Sequence, residues 1–393
     1  MTSLIDDRPA PGATTRRRGP TPWRHLDPLL VLAVLAIAAF GVVMVWTTTR
    51  IPLETAGLSG IATAKKQAIF CVIGVGVMFA VAAIDYRRYR DWAPLLYGLS
   101  LFLLAGLFVA GHRSNGSQGW FQVGPLQFEP SEFAKIALIV ALAAYAATFK
   151  GRLAGKSLLA VIGMGAVPFV LVYKQPDLGS GLVLLAVLAV VIVVAGARSR
   201  HLAVLGLIAV VAMVAVVQLG ILKGYQQARL TSFLHTPNKV SQQVLQSPAG
   251  VNIYNVVESK DAISHGGVLG RGIGHGSATN LSQVPEQSTD FIFSAVGEQV
   301  GLAGSAALLV LFLVVLWRTW QAAVLSRDLF GRLLCAGVLG YLLFQTFENI
   351  GMTMGIMPVT GIPLPWVSYG GSAVLVEFAA IGLALNVRMR RFS

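Results

Sequence analysis

The chain has 393 residues, of which 55% are apolar and only 12% charged, against roughly 25% charged in ordinary soluble domains. A soluble fold of this length could not hide so much apolar surface, whereas a bilayer solvates it, so the composition excludes a soluble protein and predicts an all-α polytopic membrane protein. The formal net charge of +13 does not point to nucleic acid: the cations sit in short stretches between apolar runs, which is the pattern of membrane orientation and not of a groove-binding stripe.

Residues 1–26 are rich in Pro, Thr and Arg, with Arg16, Arg17 and Arg18 in a row, and read as a disordered basic cytoplasmic tail with no cleavable signal peptide evident. From 27 to 393 the chain reads as one membrane domain. Ten apolar segments reach, or nearly reach, the roughly 20 helical residues a bilayer requires. They lie near 28–48, 67–84, 93–110, 132–149, 157–173, 179–197, 201–222, 297–317, 332–355 and 372–388. With the N-terminus inside, 19 of the 30 Lys and Arg fall on inside segments, so both termini are expected in the cytoplasm. Cys71 and Cys335 fall in different apolar segments, which argues for small buried hydrophobes over a disulfide or a metal cluster.

The outside loops are unequal. One runs about 111–131, a second about 223–296 and a third about 358–371, and three elaborated loops on one face predict an external active site on a helical scaffold. Within the long loop, 224–246 and 251–264 have the mixed pattern of interfacial helices. A Gly-rich run then spans His265 to Gly276. It is no Rossmann fingerprint, because neither a strand nor a βαβ unit surrounds it. It is either a backbone cradle for phosphate or a flexible loop, and His265 and His275 lack a metal-ligand spacing.

Four stretches carry candidate chemistry. In Ser288-Thr-Asp-Phe-Ile-Phe293, Asp290 stands just before a helix re-enters the membrane. It is either a proton acceptor tuned by partial burial or, with Thr289, a helix cap. In the block from Gly119 to Lys135, Val123-Gly-Pro-Leu126 predicts a tight turn between two short extended pieces. Glu132 and Lys135 are three apart on one helical face. Lys135 is either paired with that acid or free to meet an anion such as a diphosphate, and Trp120 either stacks on a sugar or anchors at the interface. Lys174-Gln-Pro-Asp177 places Asp177 to cap the next helix, while Glu348 and Glu377 are intramembrane acids that either act in function or bond between helices. Finally, the Pro- and Gly-rich run from Met357 to Ser372, which contains Ser368, cannot face lipid with unsatisfied backbone and must line a cavity or pack in protein.

These motifs resemble the SEDS family (shape, elongation, division and sporulation), whose members are the rod-elongation protein RodA and the division protein FtsW. The resemblance rests on Trp120 with Pro130-Ser-Glu-Phe-Ala-Lys135, on Gln175-Pro-Asp-Leu-Gly179, on Pro285-Glu-Gln-Ser-Thr-Asp-Phe-Ile-Phe293 and on Pro358 to Ser372, in family order. Pro358-Val-Thr-Gly-Ile-Pro-Leu-Pro365 is closer to the elongation branch. The resemblance implies a peptidoglycan glycosyltransferase that polymerises lipid II, with a class B penicillin-binding protein as partner. Asp290 then matches the family's essential acid, and Trp120, Glu132 and Lys135 match positions of its central cavity. Thr289, Arg271 and Ser368 complete the expected substrate contacts. Neutralisation of the diphosphate falls to Lys135, Arg271 or a divalent cation, Mg or Mn. The chain departs from the family at Ser288, where His is common, at Gln299, where Glu is common, and at Glu129, where Gln is common. A lipid II flippase and a non-catalytic scaffold for the penicillin-binding protein are the competing expectations, and a division role is the alternative to elongation.

Overall fold

A computed structural model describes residues 22–114, 117–123, 126–218 and 250–391. A 3-10 turn at Pro22–His25 leads into α1 (Pro28–Thr55), α2 (Ala62–Ala83), α3 (Tyr86–Ala110), α4 (Pro130–Ala147), α5 (Lys156–Lys174), α6 (Leu178–Val194) and α7 (Ser199–Gln218). Then follow α8 (Gly250–Gly266), the single turn α9 (Ser277–Asn280), α10 (Ile292–Val324), α11 (Leu329–Thr353) and α12 (Gly371–Met389). Eight of these, α1 to α5 and α10 to α12, are long and apolar enough to cross a membrane, while α6 and the stretch Ser199–Ile208 of α7 are shorter apolar helices. Each of the ten predicted segments falls on one of these ten helices. Both cysteines are buried and free, in α2 and α11.

The helix starts follow from local chemistry. Asp27, Asp85, Asp177 and Asp328 stand at the N-caps of α1, α3, α6 and α11, each accepting from a backbone N–H of the first turn. Pro28 and Pro130 open α1 and α4, where a missing N–H costs nothing. In the spanning windows of α4, α11 and α12, 78%, 72% and 78% of residues are buried, against 28%, 22% and 28% for α2, α3 and α5. The former three therefore form the centre of the bundle and the latter its lipid-facing rim.

Two local features depart from a plain helical bundle. After α3 the chain forms a three-stranded antiparallel sheet of β1 (His112–Ser114), β2 (Ser117–Val123) and β3 (Leu126–Phe128) in that order. The two expected extended pieces are β2 and β3, paired at Val123 and Leu126; the turn residues 124–125 lie outside the described residues. The expected interfacial helix at 224–246 and the basic tail up to residue 21 also lie outside them, whereas the segment expected at 251–264 is α8.

The second feature is a break in α10 at Gly301, whose φ of 64° and ψ of −165° are outside the helical region. The backbone groups freed there are taken by the Gly-rich run. Leu302 and Ala303 N–H donate to the carbonyls of Gly267 and Val268 (both 2.9 Å), and Arg271 and Gly272 N–H donate to those of Glu298 and Gln299 (both 3.0 Å). Gly274 N–H reaches Gln299 Oε1 at 2.9 Å. The run is thus neither a free loop nor an open cradle, since its amides at 271, 272 and 274 are bound to the broken helix.

The end of the bundle away from the sheet is tied by buried charge. Arg318 donates from Nε and Nη2 to the two oxygens of Asp27 (both 2.7 Å), and Arg388 Nε approaches Asp27 Oδ2 at 3.0 Å. Asp27 is 1% exposed, so these contacts clamp the start of α1 to the far ends of α10 and α12. Arg390 donates to the carbonyls of Ala82 and Ala83 at the end of α2, and Tyr86 Oη donates to Asp328 Oδ2 at 2.6 Å. Removing the shared carboxylate leaves two neighbouring guanidinium groups without their counter-ion. Asp27→Ala is therefore expected to destabilise the fold by about 3 kcal/mol, read as a lower melting temperature in detergent; an unchanged melt would show that this clamp contributes nothing.

Candidate functional site

The sheet, the 267–291 segment and the irregular 354–370 loop gather at the other end of the bundle. Asp290 is half-buried on a turn over 285–291 that runs directly into α10. This turn is bonded to its neighbours through successive carbonyls. Tyr369 N–H donates to Ser288 O (2.9 Å), Ser368 Oγ to Thr289 O, and Asn349 Nδ2 of α11 to Asp290 O (2.8 Å). Gly361 lies against the carboxylate: a Cβ built there would stand 3.2 Å from Asp290 Oδ2, and its φ of +79° is the left-handed region that favours glycine. Thr289 Oγ1 points back to Glu286, at 3.2 Å from its carbonyl. Ser368 is 2% exposed, accepts from Leu364 N–H (2.8 Å) and donates to Thr289, so its hydroxyl is engaged within the protein.

A second group of predicted residues meets at the start of α4. Trp120 Nε1 donates to Glu129 Oε2 (3.2 Å) and Ser131 Oγ to Glu129 Oε1 (2.7 Å). One turn deeper, Lys135 Nζ donates to Glu132 Oε1 at 2.6 Å and sits 5.5 Å from the centre of the Tyr341 ring, with both members of the pair essentially unexposed. Of the two alternatives for Lys135, this conformation has the internal ion pair. Glu377 of α12 accepts from Trp366 N–H (2.8 Å) and Gln345 Nε2 (3.2 Å), so it bonds between helix and loop. Glu348 is buried and interacts with Thr360 of the loop.

The start of α6 joins the two groups. Asp177 caps α6 through Ser180 N–H (2.9 Å) and acts electrostatically on Glu129. Two residues on, a Cβ at Gly179 would stand 2.9 Å from Thr360 O and 2.7 Å from Ile362, and Thr360 precedes Gly361. Asp290, Thr289 and Ser368 are thus linked to Trp120, Glu132 and Lys135 through Asp177–Gly179 and Thr360–Gly361. Arg271 is placed apart: it is exposed on the segment that stitches the α10 break, with Nε donating to His265 O at 3.0 Å.

Several members of this site were not singled out in sequence. Asn349 and Gln67 are polar residues in apolar helices, a signal that could have drawn attention to them. Gln67 Nε2 donates to Ser368 O at 3.0 Å, and Gln67 is unexposed. Glu129 was visible only as a departure from the family pattern. Glu298 accepts from the N–H groups of Ala278 and Thr279 (2.8 and 2.9 Å) and so fixes α9.

The electrostatics around α4 are acidic. Lys135 is matched by Glu132, which leaves Glu129 and Asp177 as surplus carboxyls. Burial first, and then Glu132 and Asp177, push the Glu129 carboxyl up to about 8 from its ordinary 4.5, against the opposing pull of Ser131 and Lys135. Near neutrality Glu129 therefore holds a proton. Among the described residues no group of three or more His, Cys, Asp and Glu converges as metal ligands.

Two outcomes follow from this charge arrangement. Because folded Glu129 keeps a proton that the unfolded chain releases, its contribution to stability falls as pH rises between about 4.5 and about 8. Glu129→Gln should flatten that part of a melting-temperature profile taken between about pH 5 and 9, and an unchanged slope would reject the raised value. Lys135→Met should cost about 3 kcal/mol by leaving Glu132 buried and unpaired. Adding Glu132→Gln should recover most of that loss in the same melting assay. A double variant as unstable as the single would show that the pair is not the source.

Comparison with known proteins agrees with this architecture. Residues 27–392 match the family model for FtsW, RodA and SpoVE, described as a cell cycle protein. The chain is 34% identical over 378 residues to stage V sporulation protein E of Bacillus subtilis, covering 95% of this chain and 98% of that one. It is 32% identical over 371 residues to the peptidoglycan glycosyltransferase MrdB of Escherichia coli K12, covering 93% and 94%. Among solved structures, a chain of a peptidoglycan synthase complex superposes with a TM-score of 0.76 at 32% identity, over 94% of this chain and 99% of that one. The rod shape determining protein RodA of Thermus thermophilus gives 0.69 at 30% identity, over 95% and 100%. With the match running across the whole membrane domain, this chain belongs to the FtsW/RodA/SpoVE family of multi-pass membrane proteins.

Proposed function

We propose that the chain is a peptidoglycan glycosyltransferase that polymerises lipid II into β-1,4 glycan strands. The loop-bearing end would face the outside of the inner membrane, with both termini cytoplasmic, a placement the distribution of Lys and Arg supports. The observation that carries the reading is Asp290: a half-buried carboxylate on a turn bonded at three carbonyls, opposite Gly361, and connected through Thr360, Gly179 and Asp177 to the Trp120–Glu129 group. Family membership and the names of the relatives support it.

In this mechanism the Asp290 carboxylate accepts the proton of the acceptor sugar hydroxyl as that oxygen attacks the anomeric carbon of the donor. The lipid diphosphate leaves with the electron pair of the broken glycosidic bond. A single displacement inverts the centre, turning an α-linked donor into a β-linked glycan. The leaving group needs positive charge more than a strong acid. Lys135 could supply it only by exchanging its contact with Glu132, and Arg271 only from its place on the α10 break. A divalent cation, Mg or Mn, would supply the same neutralisation, although among the described residues no three His, Cys, Asp or Glu gather as its ligands. A class B penicillin-binding protein is the partner this reading implies, and the Pro358–Pro365 loop favours elongation over division.

The test is polymerisation of labelled lipid II by purified protein with its cognate partner, wild type against Asp290→Ala. A loss of at least about 100-fold in a folded variant is expected. Equal polymer from both would move the base elsewhere. No polymer from either, with lipid II crossing liposomes instead, would favour the flippase. Polymer that depends on the partner alone would leave the chain a scaffold.

A further inference from the structure

Three consecutive carbonyls of the Asp290 turn, at residues 288, 289 and 290, each accept from a different donor, and all three donors come from the single segment 349–369. One of those donors does more than close the turn. Asn349 Nδ2 gives one hydrogen to Asp290 O (2.8 Å) and the other to Ile362 O (2.7 Å), and the residue is unexposed. Because both contacts are carbonyl oxygens, the orientation of this amide is fixed by its partners. The two carbonyls belong to the backbone that carries the carboxylate and to the backbone that follows Gly361, which abuts that carboxylate. A single side chain therefore ties the backbone that carries Asp290 to the backbone that lies against its carboxylate.

Ser368 acts on the same turn, one residue earlier. Its hydroxyl accepts from Leu364 N–H and donates to Thr289 O, so the turn preceding Asp290 is pinned to the same loop. Its own backbone is held in turn, since Gln67 Nε2 of α2 donates to Ser368 O at 3.0 Å and Gln67 Oε1 accepts from Gly370 N–H at 3.4 Å.

We infer that Asn349 and Ser368 are positioning residues for the reaction, which set where the Asp290 carboxylate stands relative to the Gly361 wall without touching substrate. The inference rests on the reading of Asp290 as the base. Its chemical content is geometric: a base displaced by about 1 Å from the attacking hydroxyl can cost about 100-fold in turnover, while groups that bind the substrate elsewhere are undisturbed. The defect therefore appears in kcat per folded molecule and not in KM; a loss of folded protein lowers apparent kcat in the same way, so turnover is referred to the folded fraction and the rescue by Ser368→Thr separates the two.

The experiment is a steady-state titration of lipid II on the full-length protein with its cognate partner, comparing wild type, Asn349→Leu, Ser368→Ala, Ser368→Thr and Asp290→Asn. Leucine keeps the shape of asparagine and removes both donors, while threonine keeps the hydroxyl of serine. Asn349→Leu and Ser368→Ala are expected to lower kcat about 10- to 100-fold with KM within about threefold, and Ser368→Thr to return most of the activity. Should Asn349→Leu fail to fold by gel filtration and melting, the Ser368→Ala and Ser368→Thr pair decides the matter alone. Folded variants with kcat within about twofold of wild type, or a defect confined to KM, would overturn the inference. If those variants are normal while Asp290→Asn is inactive, the base assignment stands and only the positioning role falls. If Asp290→Asn itself keeps wild-type turnover, the base assignment fails and the positioning role with it.

Discussion

Lipid offers no hydrogen bonds, so every polar group this chain places below its surface has to be answered by another part of the chain. That constraint organises both ends of the bundle. At one end Asp27 is answered by two arginines from the last turns of α10 and α12. In the interior Lys135 is answered by Glu132, and Glu377 by a loop amide and a glutamine. At the other end the irregular backbone of 354–370 is admitted to the core because Gln345, Asn349, Ser368 and Glu377 take up its free carbonyls and amides. Gln345 alone bonds both to Pro363 O and to Glu377, so the central helices and the loop share one network.

The same constraint separates what was legible in the sequence from what was not. The ten helices were legible because apolar length is a local property, and Pro130 and Asp177 marked the starts of two of them. The pair Glu132–Lys135 was legible as one of two alternatives, since three-residue spacing places both on one face but cannot say whether a ligand competes for the cation. Asn349 was not legible. Its neighbour Glu348 was noticed as an intramembrane acid, yet it is Asn349 that reaches Asp290, over a separation of 59 residues. Ser368 stood out for its loop and was expected to meet substrate, whereas its hydroxyl is engaged with Leu364 and Thr289. The Gly-rich run was read from composition as a phosphate cradle or a loose loop. Its function in the fold depends on a break in α10 thirty residues away, which no local pattern announces.

The site also has an asymmetry of charge with chemical meaning. The chemistry of an anionic lipid-linked sugar favours free cations at the site that polymerises it. Here the innermost cation is already neutralised, and the surplus around it is acidic, with Glu129 holding a proton near neutrality. Burial and the approach of Glu132 and Asp177 together set how readily Glu129 ionises.

The break at Gly301 carries a consequence for how the protein sits in its membrane. At 1.5 Å per residue the 33 residues of α10 would form a straight rod of about 50 Å, while the hydrocarbon core is about 30 Å thick. Interrupting the helix at Gly301 leaves a segment from Leu302 to Val324 of about 35 Å, which fits a bilayer with ordinary tilt. The remaining turns, from Ile292 to Val300, are freed from the axis of the membrane segment and anchored instead to the 267–272 strap. Changes in bilayer thickness can then be absorbed as tilt of the lower segment, while the strap keeps the upper one, and the carboxylate at its head, in register with the rest of the outer rim.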